Sequence, residues 1–182
     1  QSNLAAERAL STFDQRHKVV VAGVLDSPWK GGKDADWGHR IFSGFQLAPI
    51  IRYNSGHPFN LLAGTNVNND RHSTNDRPIG AARNTGQGPD YFDVDMRLSK
   101  AVRLSEKSSV QFMVEGFNLF NRTNFGAVNN VVGPNFALPR SSGGSGFTTF
   151  NVSGSNIGPS QPLGFTSALP RRQLQFGARL TF

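Results

Sequence analysis

The sequence predicts an all-β protein, an antiparallel meander of about five strands that are long enough to cross a membrane. The final segment, 173–182, alternates strictly between apolar and polar or small side chains, so as a strand it has one apolar and one polar face. It also has the length of a tilted membrane-spanning strand, which needs roughly 9–11 residues. The 20 Gly and 10 Pro among 182 residues favour turns and long loops over helices.

The charge balance narrows the classes of partner. With 19 Lys and Arg against 12 Asp and Glu, the chain has a formal net charge of +7, which raises the question of nucleic-acid binding. The basic residues are scattered beside apolar strand residues, and no base-stacking aromatic strand accompanies them, so no nucleic-acid partner is expected. The absence of Cys excludes disulfides and thiolate chemistry. No apolar run approaches the ~18 residues of a transmembrane helix.

Two strands are predicted in the N-terminal third of the chain. The first covers residues 18–25, a β-branched run that ends before the turn sequence Asp26–Pro28. The second covers residues 41–54, in which apolar side chains alternate with mostly polar ones. Pro49 lies inside this second strand, and because proline has no N–H to donate, it predicts a local bulge or a break in pairing.

Three further strands are predicted at residues 91–102, 110–119 and 173–182. If they belong to an outer-membrane barrel, their apolar side chains face lipid and their polar side chains face the lumen. The predicted lipid-facing residues are Phe92, Val94, Met96, Leu98, Leu174, Phe176, Leu180 and Phe182. The predicted lumen-facing residues are Asp93, Asp95, Arg97, Glu115 and Arg179.

The connections between the predicted strands differ in length. Residues 55–90 and 120–171 are long polar stretches, the second of them rich in Gly, Ser and Asn, whereas 104–108 is a tight turn. Short turns on one side and long loops on the other are typical of outer-membrane barrels, and such long loops are unusual in a compact soluble domain. We therefore expect 55–90 and 120–171 to be outer loops of a barrel whose C-terminus is periplasmic.

A soluble all-β binding module is the alternative interpretation of the same pattern. A carbohydrate-binding sandwich, for example, would use the aromatic and Asn-rich loops and would bury the apolar strand faces under a second sheet. In a barrel, those faces contact lipid instead. What covers the apolar faces therefore discriminates between the two classes.

Several motifs resemble those of a known family. Residues 116–126, Gly-Phe-Asn-Leu-Phe-Asn-Arg-Thr-Asn-Phe-Gly, resemble a late-strand signature of TonB-dependent outer-membrane receptors. In particular they resemble the Oar-like group, whose members contain a carboxypeptidase-regulatory-like domain. Residues 11–17 and 55–59 are similar to a strand entry and a strand exit of that group. Its "NDRP" outer loop is matched by Asn75, Asp76, Arg77 and Pro78.

The resemblance implies that the chain is the C-terminal segment of a large barrel of about 22 strands with a plugged lumen. The full-length protein would be a bacterial outer-membrane receptor or transporter that takes part in energised uptake or surface binding of a ligand. Its partners would be outer-membrane lipid, the rest of the barrel and its plug, the TonB complex through an N-terminal part, and the barrel-insertion machinery. Five strands cannot close a membrane barrel, so we expect the chain to be a fragment.

No catalytic, metal or cofactor site is expected. The four His are far apart in the sequence and share no metal-ligand spacing. The carboxylates of Asp93, Asp95 and Glu115 could pass for a catalytic set, but they lie on polar strand positions near Arg97, so ion pairing in the lumen explains them better. An oxygen-rich segment around Asp76 has Asn where a calcium site needs charged ligands. This segment predicts a hydrogen-bonded turn network.

Overall fold

The computed structural model describes residues 7–29, 36–72, 74–137, 150–151 and 157–182, with the backbone alone at 150–151. The chain divides into two compact units. The sheet unit comprises Val19–Tyr53, Phe92–Arg122 and Pro170–Phe182. The loop unit comprises Gln1–Lys18, Asn54–Tyr91 and Thr123–Leu169. Among the described residues, no helix is long and apolar enough to span a membrane.

Strands make up most of the regular secondary structure among the described residues. The strands are β1 (Lys18–Ala22), β2 (Leu25–Asp26), β3 (Phe45–Asn54), β4 (Pro58–Phe59), β5 (Gly86–Gln87), β6 (Tyr91–Arg103), β7 (Ser109–Phe117), β8 (Phe125–Val128), β9 (Phe150–Asn151), β10 (Phe165–Ala168) and β11 (Gln173–Thr181). Helix α1 (Trp37–Phe42) lies between β2 and β3 in the chain.

The largest sheet contains six strands in the order β1-β3-β6-β7-β11, with β2 also paired to β3. β7 is antiparallel to both of its neighbours, and Gly116 lies opposite Met96 on β6 and opposite Leu174 on β11. β6 and β7 are joined by a tight turn in which the Leu104 amide donates to the Ser108 carbonyl at 3.0 Å. Each of the five main strands pairs with the next main strand along the chain, which confirms the predicted antiparallel meander.

The register assigns the side chains of the sheet to two faces, because directly opposed residues on neighbouring strands share a face. The apolar face includes Phe92, Val94, Met96, Leu98, Val110, Phe112, Val114, Leu174, Phe176 and Leu180. The polar face includes Asp93, Asp95, Arg97, Ser99, Gln111, Glu115, Gln175 and Arg179. The alternation along single strands thus becomes two continuous surfaces across the sheet.

The predicted second strand, 41–54, begins later than its sequence pattern suggests. Residues 41–42 end α1, and β3 starts at Phe45, so the prediction is wrong for 41–44. Gly44 has a φ of 69°, a left-handed conformation that glycine adopts at little cost. A Cβ at Gly44 would also stand 2.6 Å from the Ala101 carbonyl oxygen. This glycine therefore turns the chain from helix into strand at a point where the neighbouring backbone approaches closely.

The other predicted strands differ from the structure by smaller amounts. The predicted strand 18–25 is split into β1 and β2 around Gly23, whose amide donates to the Pro49 carbonyl at 3.2 Å. β3 passes through Pro49 without a break. The predicted strand 110–119 ends before Asn118, which has a left-handed φ of 49°. The predicted third and fifth strands agree with β6 and β11 to within one residue at each end.

The loop unit contains short strands where the sequence predicts only loops, 55–90 and 120–171. β4 pairs antiparallel with β5, and β5 pairs parallel with β9. β8 pairs antiparallel with β10, with irregular register. Leu61 and Pro78 are fully buried in this unit. The unit therefore has a small core of its own, which explains how such polar stretches adopt a defined structure.

Candidate functional site

The polar face carries an ion cluster formed by β3 and β6. The Arg52 guanidinium contacts the carboxylate of Asp93 at 2.5 Å and also that of Asp95. The two carboxylates are nearly buried, with side chains 6% and 12% exposed, whereas the Arg52 side chain is 39% exposed. Because a buried ionised carboxylate without a partner is costly, the Arg52 guanidinium stabilises both acidic side chains in the sheet.

A second ion pair lies on the same face. Arg97 and Glu115 are directly opposite each other on β6 and β7, and their side chains form an ion pair. The Arg97 side chain is 55% exposed, and exposed pairs of this kind contribute only about 0–1 kcal/mol. Arg179 on β11 is opposite Gln111 on this face. The five residues predicted to face the lumen therefore share one face, and three salt bridges form among its charges and Arg52.

The apolar face is exposed over much of its length. On β11, Phe176 is 78% exposed, and the terminal Phe182 is 95% exposed. On β6, Leu98 is exposed, whereas Val94 is buried. Among its described residues the sheet unit contains a single sheet, so no second layer of this unit covers the face. A surface of this apolar character is typical of an interaction with lipid or with a partner.

The segment that carries the family resemblance turns the chain at the end of β7. Asn118 and Asn121 have left-handed φ values of 49° and 51°, which asparagine adopts more readily than other residues with side chains. The Asn118 amide donates to Asp95 Oδ1 at 3.1 Å, and the Leu119 amide donates to the Val94 carbonyl at 2.9 Å. The turn is therefore tied to β6.

The side chains of the same two asparagines tie the turn to the segment that enters β11. Asn118 Nδ2 donates to the Pro170 carbonyl at 3.3 Å. Asn121 Oδ1 accepts the Arg172 amide at 3.1 Å. We call Asn118 and Asn121 the asparagine clasp. It connects β7 to β6 and to the segment before β11, which explains structurally why asparagine occupies positions 118 and 121.

The loop unit holds the motif Asn75–Pro78 through backbone hydrogen bonds. Asp76 is buried, and its Oδ2 accepts the amides of Val67 at 2.6 Å and Asn68 at 3.3 Å. Pro78 is fully buried, whereas Asn75 is exposed. The carboxylate at the centre of the oxygen-rich segment is therefore engaged by the turn, as the sequence predicts.

Two exposed carboxylates of the loop unit are perturbed by their partners. The Arg77 guanidinium donates to the Glu7 carboxylate, and this hydrogen bond lowers the pKa of Glu7 below its ordinary value of 4.5. The His72 amide, 2.8 Å from Asp70 Oδ1, lowers the pKa of Asp70 in the same way. Among the described residues, no group of three or more His, Asp or Glu could hold a metal ion.

One family model decides the class of this protein. The model described as "Outer membrane beta barrel domain" matches residues 1–81 and 78–175. The chain belongs to this family. The comparisons with curated proteins and with solved structures gave no match.

Membership in the outer membrane beta barrel domain family has direct consequences. The protein is located in the bacterial outer membrane, its surroundings are lipid, and its long antiparallel strands are transmembrane strands. The predicted fold class and localisation are thereby confirmed. A soluble binding module is not favoured.

Some important contacts of this outer-membrane barrel protein are not evident in its sequence. The sequence predicts ion pairing of Asp93, Asp95 and Glu115 near Arg97. In the structure Glu115 pairs with Arg97, whereas Asp93 and Asp95 pair with Arg52. Arg52 occupies a polar position in the alternating pattern of β3, and this position is the feature of the sequence that could have indicated its place on the polar face. The role of Asn118 is indicated more weakly, by its position just after a strand. Asparagine tolerates the left-handed conformation that ends strand pairing at such positions.

Proposed function

We propose that the chain forms part of the wall of a TonB-dependent receptor of the Oar-like group. In the full-length protein this wall takes part in energised uptake or surface binding of a ligand. The observation that carries the proposal is the position of the resembling motif 116–126 in the fold. Its asparagine clasp forms hydrogen bonds with Asp95 on β6 and with Pro170 and Arg172 before β11. The motif therefore connects neighbouring strands of a wall of paired strands.

The two faces of the sheet support a lipid and a lumen assignment. In outer-membrane barrels, apolar residues point outward and polar residues point inward along each strand. We assign the apolar face to lipid, with Phe92, Val94, Met96, Leu98, Leu174, Phe176, Leu180 and Phe182 as its predicted contacts. We assign the polar face to the lumen, with Asp93, Asp95, Arg97, Glu115 and Arg179, to which the structure adds Arg52.

The assignment implies the partners of the full-length protein. A charged lumen wall suits a polar plug rather than a lipid-filled interior. The other proposed partners are the remaining barrel strands, the TonB complex and the barrel-insertion machinery. Asn75, Asp76, Arg77 and Pro78 lie in the proposed outer loop 55–90, where a ligand would first meet the receptor.

The receptor class is tested by measuring whether the full-length protein binds to TonB. We expect the protein, extracted from native outer membranes, to bind an immobilised periplasmic domain of TonB. An outer-membrane barrel that works without TonB serves as the control and should pass through the column. If the product also passes through, the protein is a barrel of another class.

The face assignment is tested with single cysteines, because this chain has none of its own. Phe176→Cys and Gln175→Cys are adjacent positions on opposite faces of β11. In intact outer membranes, a small membrane-impermeant maleimide that enters the lumen should label Gln175→Cys. Phe176→Cys should stay unlabelled, because its side chain faces lipid. Faster labelling of Phe176→Cys would contradict the assignment.

A further inference from the structure

An open apolar cleft lies in the sheet unit, beside α1 and the start of β3. Its volume is about 390 Å³, and its apolar lining residues are Leu25, Trp29, Phe42, Phe45 and Leu47. This volume is within the ~300–1,000 Å³ of small-ligand sites. None of its lining residues belongs to the ion pairs of the polar face or to the asparagine clasp.

The walls of the cleft are held by specific contacts. The Ser27 hydroxyl donates to the Phe42 carbonyl at 2.5 Å, and the rings of Trp29 and Phe42 lie 5.9 Å apart between centroids. The Lys100 ammonium donates to the carbonyls of Arg40 and Ile41 in the last turn of α1 and to that of Ser43 just after it, the last at 2.7 Å. The same ammonium lies 4.3 Å from the centroid of the Phe45 ring. The end of α1 is therefore fixed against the sheet.

The cleft opens on the apolar face of the sheet. Leu25 is opposite Leu47 in the pairing of β2 with β3, so the two share a face. Phe45 is two residues from Leu47 and contacts Lys100, which is opposite Phe112 on the apolar face. The cleft is therefore continuous with the surface that we assign to lipid.

Among the described residues, the apolar side chains on and around the cleft are largely exposed. Helix α1 has six residues, none of them buried, and Trp37 on it is 73% exposed. A helix this short is not stable in water without an apolar face packed against something. Trp29 and Trp37 are the two Trp residues of the chain, and tryptophan is enriched where a membrane meets water.

We propose that this cleft binds an acyl chain of a membrane phospholipid and that α1 lies in the membrane interface beside it. The proposal rests on the lipid assignment of the apolar face made above. Membrane phospholipid is the occupant because the protein belongs to an outer-membrane family, the cleft is continuous with the apolar face, and Trp29 is among its lining residues.

The first test is photo-crosslinking in native outer membranes that contain the gene's whole product. p-Benzoylphenylalanine replaces Phe42 at the cleft, Phe176 on the apolar face, or Gln175 on the polar face, one at a time. On illumination, we expect adducts with the mass of an intact phospholipid at positions 42 and 176, and none at 175. A crosslink from position 42 to lipid A or to a second copy of the chain would overturn the proposal.

The second test separates the cleft from general lipid contact. Leu25→Trp fills the cleft, and Leu174→Trp is its matched control, because Leu25 is 62% and Leu174 is 58% exposed. After extraction in mild detergent, we expect the unmodified protein and Leu174→Trp to retain phospholipid. We expect Leu25→Trp to retain at least threefold less than either. A heat-modifiable gel band shows that each variant is folded.

The outcomes distinguish this inference from the proposed function. Phospholipid adducts at 42 and 176 with equal retention by Leu25→Trp and Leu174→Trp would refute the cleft and leave the face assignment standing. Missing adducts at 176 would refute the face assignment and the cleft together. The crosslinking result does not depend on the folding of Leu25→Trp, so the proposal can be refuted even if that variant fails to fold.

Discussion

Replacing Arg52 is the sharpest test of the polar face. In Arg52→Met the long side chain keeps an apolar stem but loses its charge, and the carboxylates of Asp93 and Asp95 are left together in the sheet. Removing one partner of a buried ion pair costs about 3–5 kcal/mol. The Arg52 side chain is 39% exposed, so water screens part of the interaction, and we expect a loss of about 2–3 kcal/mol in the free energy of unfolding.

Arg97→Met is the matched control for this prediction. Arg97 is the same residue type on the same face, but its pair with Glu115 is more exposed, so its loss should cost at most about 1 kcal/mol. The assay is urea unfolding of the barrel in lipid bilayers, with folded protein counted by its heat-modifiable gel shift. Equal losses for the two arginine variants would refute the reasoning.

A rescue variant checks the physical cause. Adding Asp93→Asn and Asp95→Asn to Arg52→Met removes the two charges but keeps Oδ1 as an acceptor for the clasp amide. This triple variant should recover at least half of the stability lost by Arg52→Met. If it is less stable than Arg52→Met, the repulsion of buried carboxylates is not the source of the effect.

Three further predictions concern other parts of the chain. Gly56→Ala should lower the protease resistance of the loop unit, because its Cβ would overlap the Gly88 carbonyl oxygen, whereas Gly158→Ala, with open space around it, should leave the resistance unchanged. The pKa of Glu7 is lowered in the folded state, so its ion pair stabilises the fold at neutral pH, and this contribution disappears as the pH falls below 4.5 through the folded pKa. The protection of amides near residue 7 against hydrogen exchange, corrected for the intrinsic exchange rate at each pH, should therefore fall at acid pH, and Glu7→Gln should remove that pH dependence. Deleting the exposed Phe182 should reduce the amount of heat-modifiable protein in outer membranes without changing the ligand affinity of the inserted fraction, and equal insertion would contradict the role of the terminal aromatic residue.

The faces of the strands could be predicted from the sequence because they depend on a local rule. Side chains of a strand alternate between two sides, so Asp93 and Leu98 separate onto opposite faces whatever their partners are. The partners of those side chains are a different matter. Arg52 and Asp93 are 41 positions apart in the sequence, with segment 55–90 between β3 and β6, and no pattern within either strand fixes that register.

Short elements also escaped prediction. Helix α1 has six residues, too few for a helical period to show against the alternation that follows it. The two-residue strands of the loop unit have no measurable period at all, and their pairing depends on the buried core around Leu61 and Asp76. The cleft beside α1 could not be foreseen for the same reason, since it exists only because that helix ends against the sheet.

The asparagine clasp has a consequence for how such proteins vary. The chain leaves the wall after Arg122 and returns at Pro170, and the clasp bonds both the exit and the return through side chains of the wall itself. The 47 residues between them, 123–169, join the same two points a second time, because the Leu169 amide donates to the Asn124 carbonyl at 2.8 Å and β8 pairs with β10. A change of length between β8 and β10 should therefore leave the pairing of β7 with β6 and β11 intact, so related barrels can differ in that segment while they share the same strands.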